Sequence, residues 1–282
     1  MSAPRSELTE PAAPADPTPI LVAGATGAMG RAVGRAVRVR DDVVLAGALV
    51  RSGAPDVGRD AAVLFDGPAF GVPVTDDPSA ALRPGTAVVD FSTPAVSVAL
   101  AEAAANAGAA HIIGTTGFSD DDESRIANAA ARAAIVKSGN MSLGINLLTA
   151  LVERAARALP ERYDIEIVEA HHRRKVDAPS GTALMLGDAA ARGRASDLGS
   201  AAATDRANRR AARKPHEIGL SSVRGGGVVG DHDVLFLGDD EALVLKHRAF
   251  DRSLFADGAL TAARWATGRA PGLYSMRDVL GL

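Results

Sequence analysis

Four apolar residues, Ile20-Leu21-Val22-Ala23, run directly into Gly24-Ala25-Thr26-Gly27-Ala28-Met29-Gly30, and a helical pattern follows over 31–39. A short buried strand that must turn into a helix within so few residues leaves few solutions, because the backbone has to reverse closely and the new helix begins with unpaired N–H groups. Those N–H groups and the positive end of the helix dipole suit an anion. Strand, glycine turn and helix in this order form the context of a dinucleotide fingerprint. The spacing departs from the common pattern: Thr26 stands where a second glycine is usual, and the glycines fall at every third position. The alternative is a tight turn in any α/β protein. We read the stretch as a pyrophosphate cradle made by Gly24, Ala25, Thr26, Gly27, Ala28 and Met29.

The pattern then repeats. Strands are expected at 43–49, 87–91, 110–113 and 134–136, alternating with helices, which implies a parallel sheet whose ligand lies at the strand C-terminal ends. The strand ends carry loops of Gly, Ser, Thr or Asn, so Phe91, Gly114, Thr115, Thr116, Ser138, Gly139, Asn140 and Met141 are expected around the nicotinamide. An NAD site usually has an acid about 20 residues past the glycine turn. Here Val50 and Arg51 follow the second strand, and a guanidinium suits a 2′-phosphate, so NADPH is expected over NADH, with NADH still possible.

A long apolar helix over 144–158 marks a change of pattern, with a domain boundary near residue 142. The alternating strand Asp164-Ile165-Glu166-Ile167-Val168 delivers His171, His172, Arg173, Arg174 and Lys175 into a loop that ends at Ser180-Gly181-Thr182, the first turn of a helix. By parity His171 continues the face of Ile165 and Ile167, and His172 points the other way. An imidazole titrates near neutrality, while a lysine ammonium holds a carboxylate or donates a proton. The cations and the helix start together suit one or two carboxylates. A mobile basic loop is expected over 194–216. Three further strands, at 217–224, 228–237 and 242–246, give the second domain a mixed sheet of a kind that pairs with a copy of itself. A helix over 253–267 with Leu254, Phe255, Leu260 and Trp265 as its apolar stripe closes the chain. The fold class is therefore α/β, with a Rossmann-like parallel-sheet domain at 20–142, completed by 253–282, and an α+β domain with a mixed sheet at 143–252.

Composition excludes several classes. With no cysteine, thioester dehydrogenase chemistry and thiolate metal sites are ruled out, and no metal site is expected. A net charge of -3 and a pI near 6.1 give no footprint for nucleic acid or an anionic membrane. Residues 1–19 contain five prolines without an apolar core, so a disordered tail is expected rather than a leader, and a cytoplasmic location is the default.

A dinucleotide half joined to a half with a proton donor and an anion clamp reads as an oxidoreductase acting on a small carboxylate. The run from Glu169 through His171-His172-Arg173-Arg174-Lys175 to Pro179-Ser180-Gly181-Thr182-Ala183 resembles the signature of the 4-hydroxy-tetrahydrodipicolinate (dihydrodipicolinate) reductase family. The Gly24 turn, Asp90-Phe91, Gly114-Thr115-Thr116-Gly117-Phe118, Asn140 and Met276-Arg277-Asp278-Val279-Leu280 extend the likeness along the chain past residue 19. The resemblance implies His171 as proton donor or acceptor, Lys175 as a second donor that also holds substrate, His172, Ser180, Gly181 and Thr182 at the substrate, and the loops above at the cofactor. It also implies a homotetramer built through the C-terminal sheets and a place in diaminopimelate and lysine biosynthesis. Two other readings stay open: another NADP-dependent reductase of an imino or keto acid on the same scaffold, and a non-catalytic dinucleotide sensor.

Overall fold

The computed structural model describes residues 16–206 and 208–282. Strand β1 (Thr18–Ala23) turns through the glycines into α1 (Ala28–Arg38), and β2 (Val43–Leu49), the one-turn α2 (Ala62–Phe65) and β3 (Val74–Thr75) lie to one side of it. The chain then crosses to the other side with β4 (Ala87–Asp90), α3 (Pro94–Ala107), β5 (Ala110–Ile113), α4 (Asp120–Ala130) and β6 (Ala134–Lys137). All these strands are parallel, and the strand order reverses between β1 and β4. At such a reversal the loops part and leave a crevice at the strand C-terminal ends. Because both faces are covered by helices, the strands read as unbroken apolar runs, with Ile20, Leu21, Val22, Val88, Val89 and Ile112 fully buried.

Helix α5 (Leu143–Ala158) leads into a second sheet of β7 (Asp164–His171), β8 (Ala202–Ala203), β9 (Ile218–Arg224), β10 (Gly230–Leu237) and β11 (Ala242–Ala249). Its order is β11-β10-β7-β9-β8, antiparallel on the β10 side of β7 and parallel on the β9 side. Helix α6 (Gly181–Gly193) and α5 cover one face, where Ile145, Leu148, Val152, Leu186 and Ala190 meet Ile165, Ile167, Leu220, Val234 and Phe236. Burying each of the larger of these side chains contributes roughly 1.5–3 kcal/mol. The short α7 (Leu198–Ala201) precedes β8.

The chain returns to the first sheet at its end. Helix α8 (Ser253–Ala266) packs into the first core, β12 (Gly272–Tyr274) pairs with β6 as the sheet's seventh strand, and α9 (Met276–Val279) closes the fold. The buried stripe of α8 is made of Ala256, Ala259, Leu260, Ala262, Ala263 and Ala266, whereas Leu254, Phe255 and Trp265 are only half-buried. Small residues win because the helix lies very close to its neighbour: a Cβ on Gly258 would come within 1.8 Å of the Met141 carbonyl oxygen.

Three sequence expectations change. Of the tail expected over 1–19, residues 1–15 lie outside the described residues, while Thr18 and Pro19 already pair with β2. The segment expected to be a mobile loop is anchored: Arg206 and Arg213 bond Glu166, Arg209 forks onto Glu217, and Arg213 also meets Asp164. The basic run finds Glu217 nearby beside β9, and Glu166 and Asp164 on β7 some 40 residues or more before it. Strands β8 and β12 were not expected, since two or three residues carry no readable alternation and their pairing is set by the neighbouring strand.

Candidate active site

The first lobe offers a cradle. Gly24 has φ +67°, a conformation that L side chains rarely adopt, and a Cβ on Gly30 would lie 2.2 Å from the Gly24 carbonyl oxygen, so the turn closes down on α1 only with glycine there. Helix α1 begins after Gly27 with no side-chain cap and no acid in its first turn. An uncapped helix start facing the crevice fits a pyrophosphate, which supplies the missing negative charge. Phe91 lies over Gly114, where a Cβ would come 2.2 Å from the ring, and the position of a Gly24 Cβ is 3.4 Å from the Phe91 carbonyl oxygen. Arg51 is exposed just past the end of β2.

Two residues expected at the cofactor present no side chain to it. Met141 is 1% exposed and belongs to the core under α8. The Thr115 hydroxyl is turned inward, where it accepts from Ser97 Oγ at 2.9 Å and from the Ser92 N–H at 3.1 Å.

In the second lobe β7 alternates as parity requires, with Ile165, Ile167, Glu169 and His171 all on the covered face. Glu169 is 1% exposed and central to everything nearby. Its Oε2 accepts from His171 Nδ1 at 2.5 Å and from Arg224 Nη1 at 2.8 Å, and its Oε1 accepts from Arg224 Nη2 at 2.7 Å and from the Ser180 N–H at 3.2 Å. Arg224 also donates to the Asp177 carbonyl at 2.6 Å and so braces the loop before α6. Burial pushes the Glu169 carboxyl up, but hydrogen bonds from Arg224, Ser222 and His171 outweigh it and hold it at about 2. Burial, aided by the charges of Lys175 and Arg224, holds His171 below its ordinary value in spite of Glu169. At rest the pair is therefore a carboxylate and a neutral imidazole. A carboxylate only accepts, so His171 donates through Nδ1 and keeps a lone pair on Nε2.

Around this pair, Ser180 caps α6 by accepting from the Ala183 N–H at 3.2 Å. Being 1% exposed, Ser180 shapes the helix start rather than facing a ligand, while a Cβ on Gly181 would meet nothing within 4 Å. Lys175 pairs with Asp177 at 2.9 Å, and Arg252 donates to His172 Nε2 at 3.1 Å. The lobes meet where Asn140 Nδ2 donates to Thr182 Oγ1 at 2.9 Å, with Thr116 and Met185 about Gly139. Thr182 thus lies against the turn after β6, as a shared site requires.

The match to known proteins follows the same two halves. Residues 18–141 match the family model described as "Dihydrodipicolinate reductase, N-terminus" and residues 144–280 that described as "Dihydrodipicolinate reductase, C-terminus". The chain belongs to the dihydrodipicolinate reductase family. It is 52% identical over 268 residues to the 4-hydroxy-tetrahydrodipicolinate reductase of Rhizobium rhizogenes, covering 95% of this chain and 98% of that one. It is 53% identical over 263 residues to the enzyme of the same name from Cereibacter sphaeroides, covering 93% and 98%. A solved dipicolinate-bound dihydrodipicolinate reductase from Paenisporosarcina sp. TG-14 shares the fold, with a TM-score of 0.74 and 23% identity over 93% of this chain and 98% of that one. The chain is accordingly an oxidoreductase of a pyridine-nucleotide-dependent family.

Four residues of the site were not singled out from sequence: Glu169, Arg224, Arg252 and His232. Glu169 was in reach, since the parity that places His171 inward places Glu169 there too. His232 lies under the site, its ring 5.1 Å from that of His171 and its Nε2 3.4 Å from Ser180 Oγ. Burial and the neighbouring His171 push it down to about 4 from 6.5. The folded state disfavours its protonation, so the stabilisation is complete above about pH 6.5 and is lost as the pH falls towards 4. At 1.36 kcal/mol per unit this is about 3 kcal/mol at most. Denaturant melts at a series of pH values should show His232→Gln losing correspondingly less stability than the parent on acidification; equal losses would remove His232 as the buried neutral group.

Proposed function

We infer that this chain reduces 4-hydroxy-tetrahydrodipicolinate to tetrahydrodipicolinate, with loss of water, at the expense of a reduced nicotinamide nucleotide in diaminopimelate and lysine biosynthesis. What supports the reading is the match to relatives of that name along nearly all of both chains, joined to one geometric fact, the Asn140–Thr182 hydrogen bond that sets the carboxylate end of one lobe against the nucleotide loop of the other. The cofactor supplies a hydride. Gly24, Ala25, Thr26, Gly27, Ala28 and Met29 hold its pyrophosphate through backbone N–H groups, and Phe91, Gly114, Thr116, Ser138, Gly139 and Asn140 border its ring. The α6 start at Gly181 and Thr182, with Lys175 and His172, grips the dicarboxylate. A dianion brought beside His171 favours its imidazolium form, so His171 gains a proton as substrate binds and returns it in the reaction. Lys175, released from Asp177, is the second donor.

The division near residue 142 goes with this reading, since both family models break there. So does a cytoplasmic location; no helix among the described residues is long and apolar enough to cross a membrane. A homotetramer is supported by the outer face of the second sheet, where Val168, Val223 and Val244 are 39–53% exposed with none of the described residues covering them. Light scattering should return the mass of four copies, and a monomer would remove the proposal.

The test is NADPH oxidation with the fresh condensation product of pyruvate and aspartate semialdehyde. His171→Gln and Lys175→Gln should each lower kcat by about 100-fold or more, the scale of a lost proton donor, with the fold retained. An unchanged kcat in either would remove that residue from catalysis. With Arg51 in place of the usual acid, kcat/KM should be higher with NADPH than with NADH; a clear NADH preference would refute this.

A further inference from the structure

Asp90 and His111 form a second buried polar cluster that the mechanism leaves unused. Both side chains are 0% exposed, on adjacent strands β4 and β5, with His111 Nε2 3.2 Å from Asp90 Oδ2. Because the carboxylate only accepts, Nε2 carries the hydrogen, and His111 Nδ1 has no partner. Oδ1 accepts from the Ser92 N–H at 2.9 Å and from Ser92 Oγ at 2.5 Å. The same Ser92 N–H reaches Thr115 Oγ1 at 3.1 Å, and Ser97 Oγ donates to that oxygen at 2.9 Å. One carboxylate therefore fixes the loops after both β4 and β5. These loops border the strand reversal, since a Gly24 Cβ would lie 3.5 Å from Ser92. A buried hydrogen-bonded polar pair contributes little net stability, and apolar residues of similar size would serve a core as well. Here the pair sets the position of a loop instead. Burial pushes Asp90 up, yet its bonds to His111, Ser92 and Ser97 leave it below its ordinary value, so the acceptor stays ionised and rigidly bonded.

We propose that Asp90 and His111 are positioning residues of the cofactor site, holding the Phe91–Ser92 and Gly114–Thr115 segments where they meet the nicotinamide. This rests on the cofactor reading above. It is tested by fluorescence titration of NADPH into the full chain and its variants, beside calorimetric titration of a pyridine dicarboxylate as the substrate-lobe control. His111→Leu, which leaves Asp90 without its donor, should raise the NADPH Kd about tenfold, equivalent to roughly 1.4 kcal/mol, and leave dicarboxylate affinity in place. His111→Gln, whose amide restores a donor, should recover the affinity to within about threefold. Ser97→Ala removes only the outer support and should weaken NADPH by about threefold; it decides alone if His111→Leu fails to fold. Wild-type NADPH affinity in the folded His111→Leu, or in Ser97→Ala if that is the one that folds, overturns the proposal whatever the thermal midpoint does. Failure of the unmodified chain to bind NADPH would instead overturn the cofactor reading and this inference with it.

Discussion

The second lobe depends on one ionised carboxylate. Glu169 joins four things that otherwise have no reason to be together: the tautomer of His171, the guanidinium of Arg224, the start of α6 through the Ser180 N–H, and, through Arg224, the backbone of Asp177. Removing it would leave a guanidinium without its counter-charge and an imidazole without a fixed orientation, and breaking such a pair costs far more than the pair contributes. It also settles which charges remain for substrate. Arg224 is neutralised by Glu169, so under the proposed function a dicarboxylate would be met by the helix start, by Thr182, by Arg252 beside His172 and by Lys175 once Asp177 lets it go.

Much of this was legible in the chain because it is local. The strand, glycine turn and helix at its start are consecutive residues, and so are the alternation of β7 and the Ser180 cap. Parity alone put His171 on the covered face. What escaped was non-local. Arg224 is 55 residues from Glu169, and Arg252 is 80 from His172. The basic residues at 206–213 read as a loose loop because Glu166 and Asp164, which hold Arg206 and Arg213, precede them by some 40 residues or more. Periodicity reports which face a side chain takes and says nothing about which partner waits there.

The opposite error came from reading loops as surfaces. Met141 and Thr115 sit in stretches correctly placed at the strand ends, yet their side chains turn inward, one into the core and one into a hydrogen-bond cluster. A loop that must hold a ligand accurately spends some of its residues on holding itself. Gly258 belongs to the same account, since its missing side chain lets α8 touch the Met141 carbonyl and fix the entry to α5 from below.

The link between the lobes has the same economy. Asn140 accepts from the Ser142 N–H with its side-chain oxygen and donates to Thr182 with its amide, while Asn146 donates to its carbonyl. Thr182 Oγ1 is the acceptor in that contact, so its own hydrogen is left to donate elsewhere. A carboxylate taking that hydrogen shifts density onto the hydroxyl oxygen that Asn140 holds and makes it the better acceptor. Under the proposed function, substrate at the start of α6 would strengthen the contact that keeps α6 against the turn after β6. Seating the acid and aligning the two lobes would then be one event, carried by a single hydroxyl.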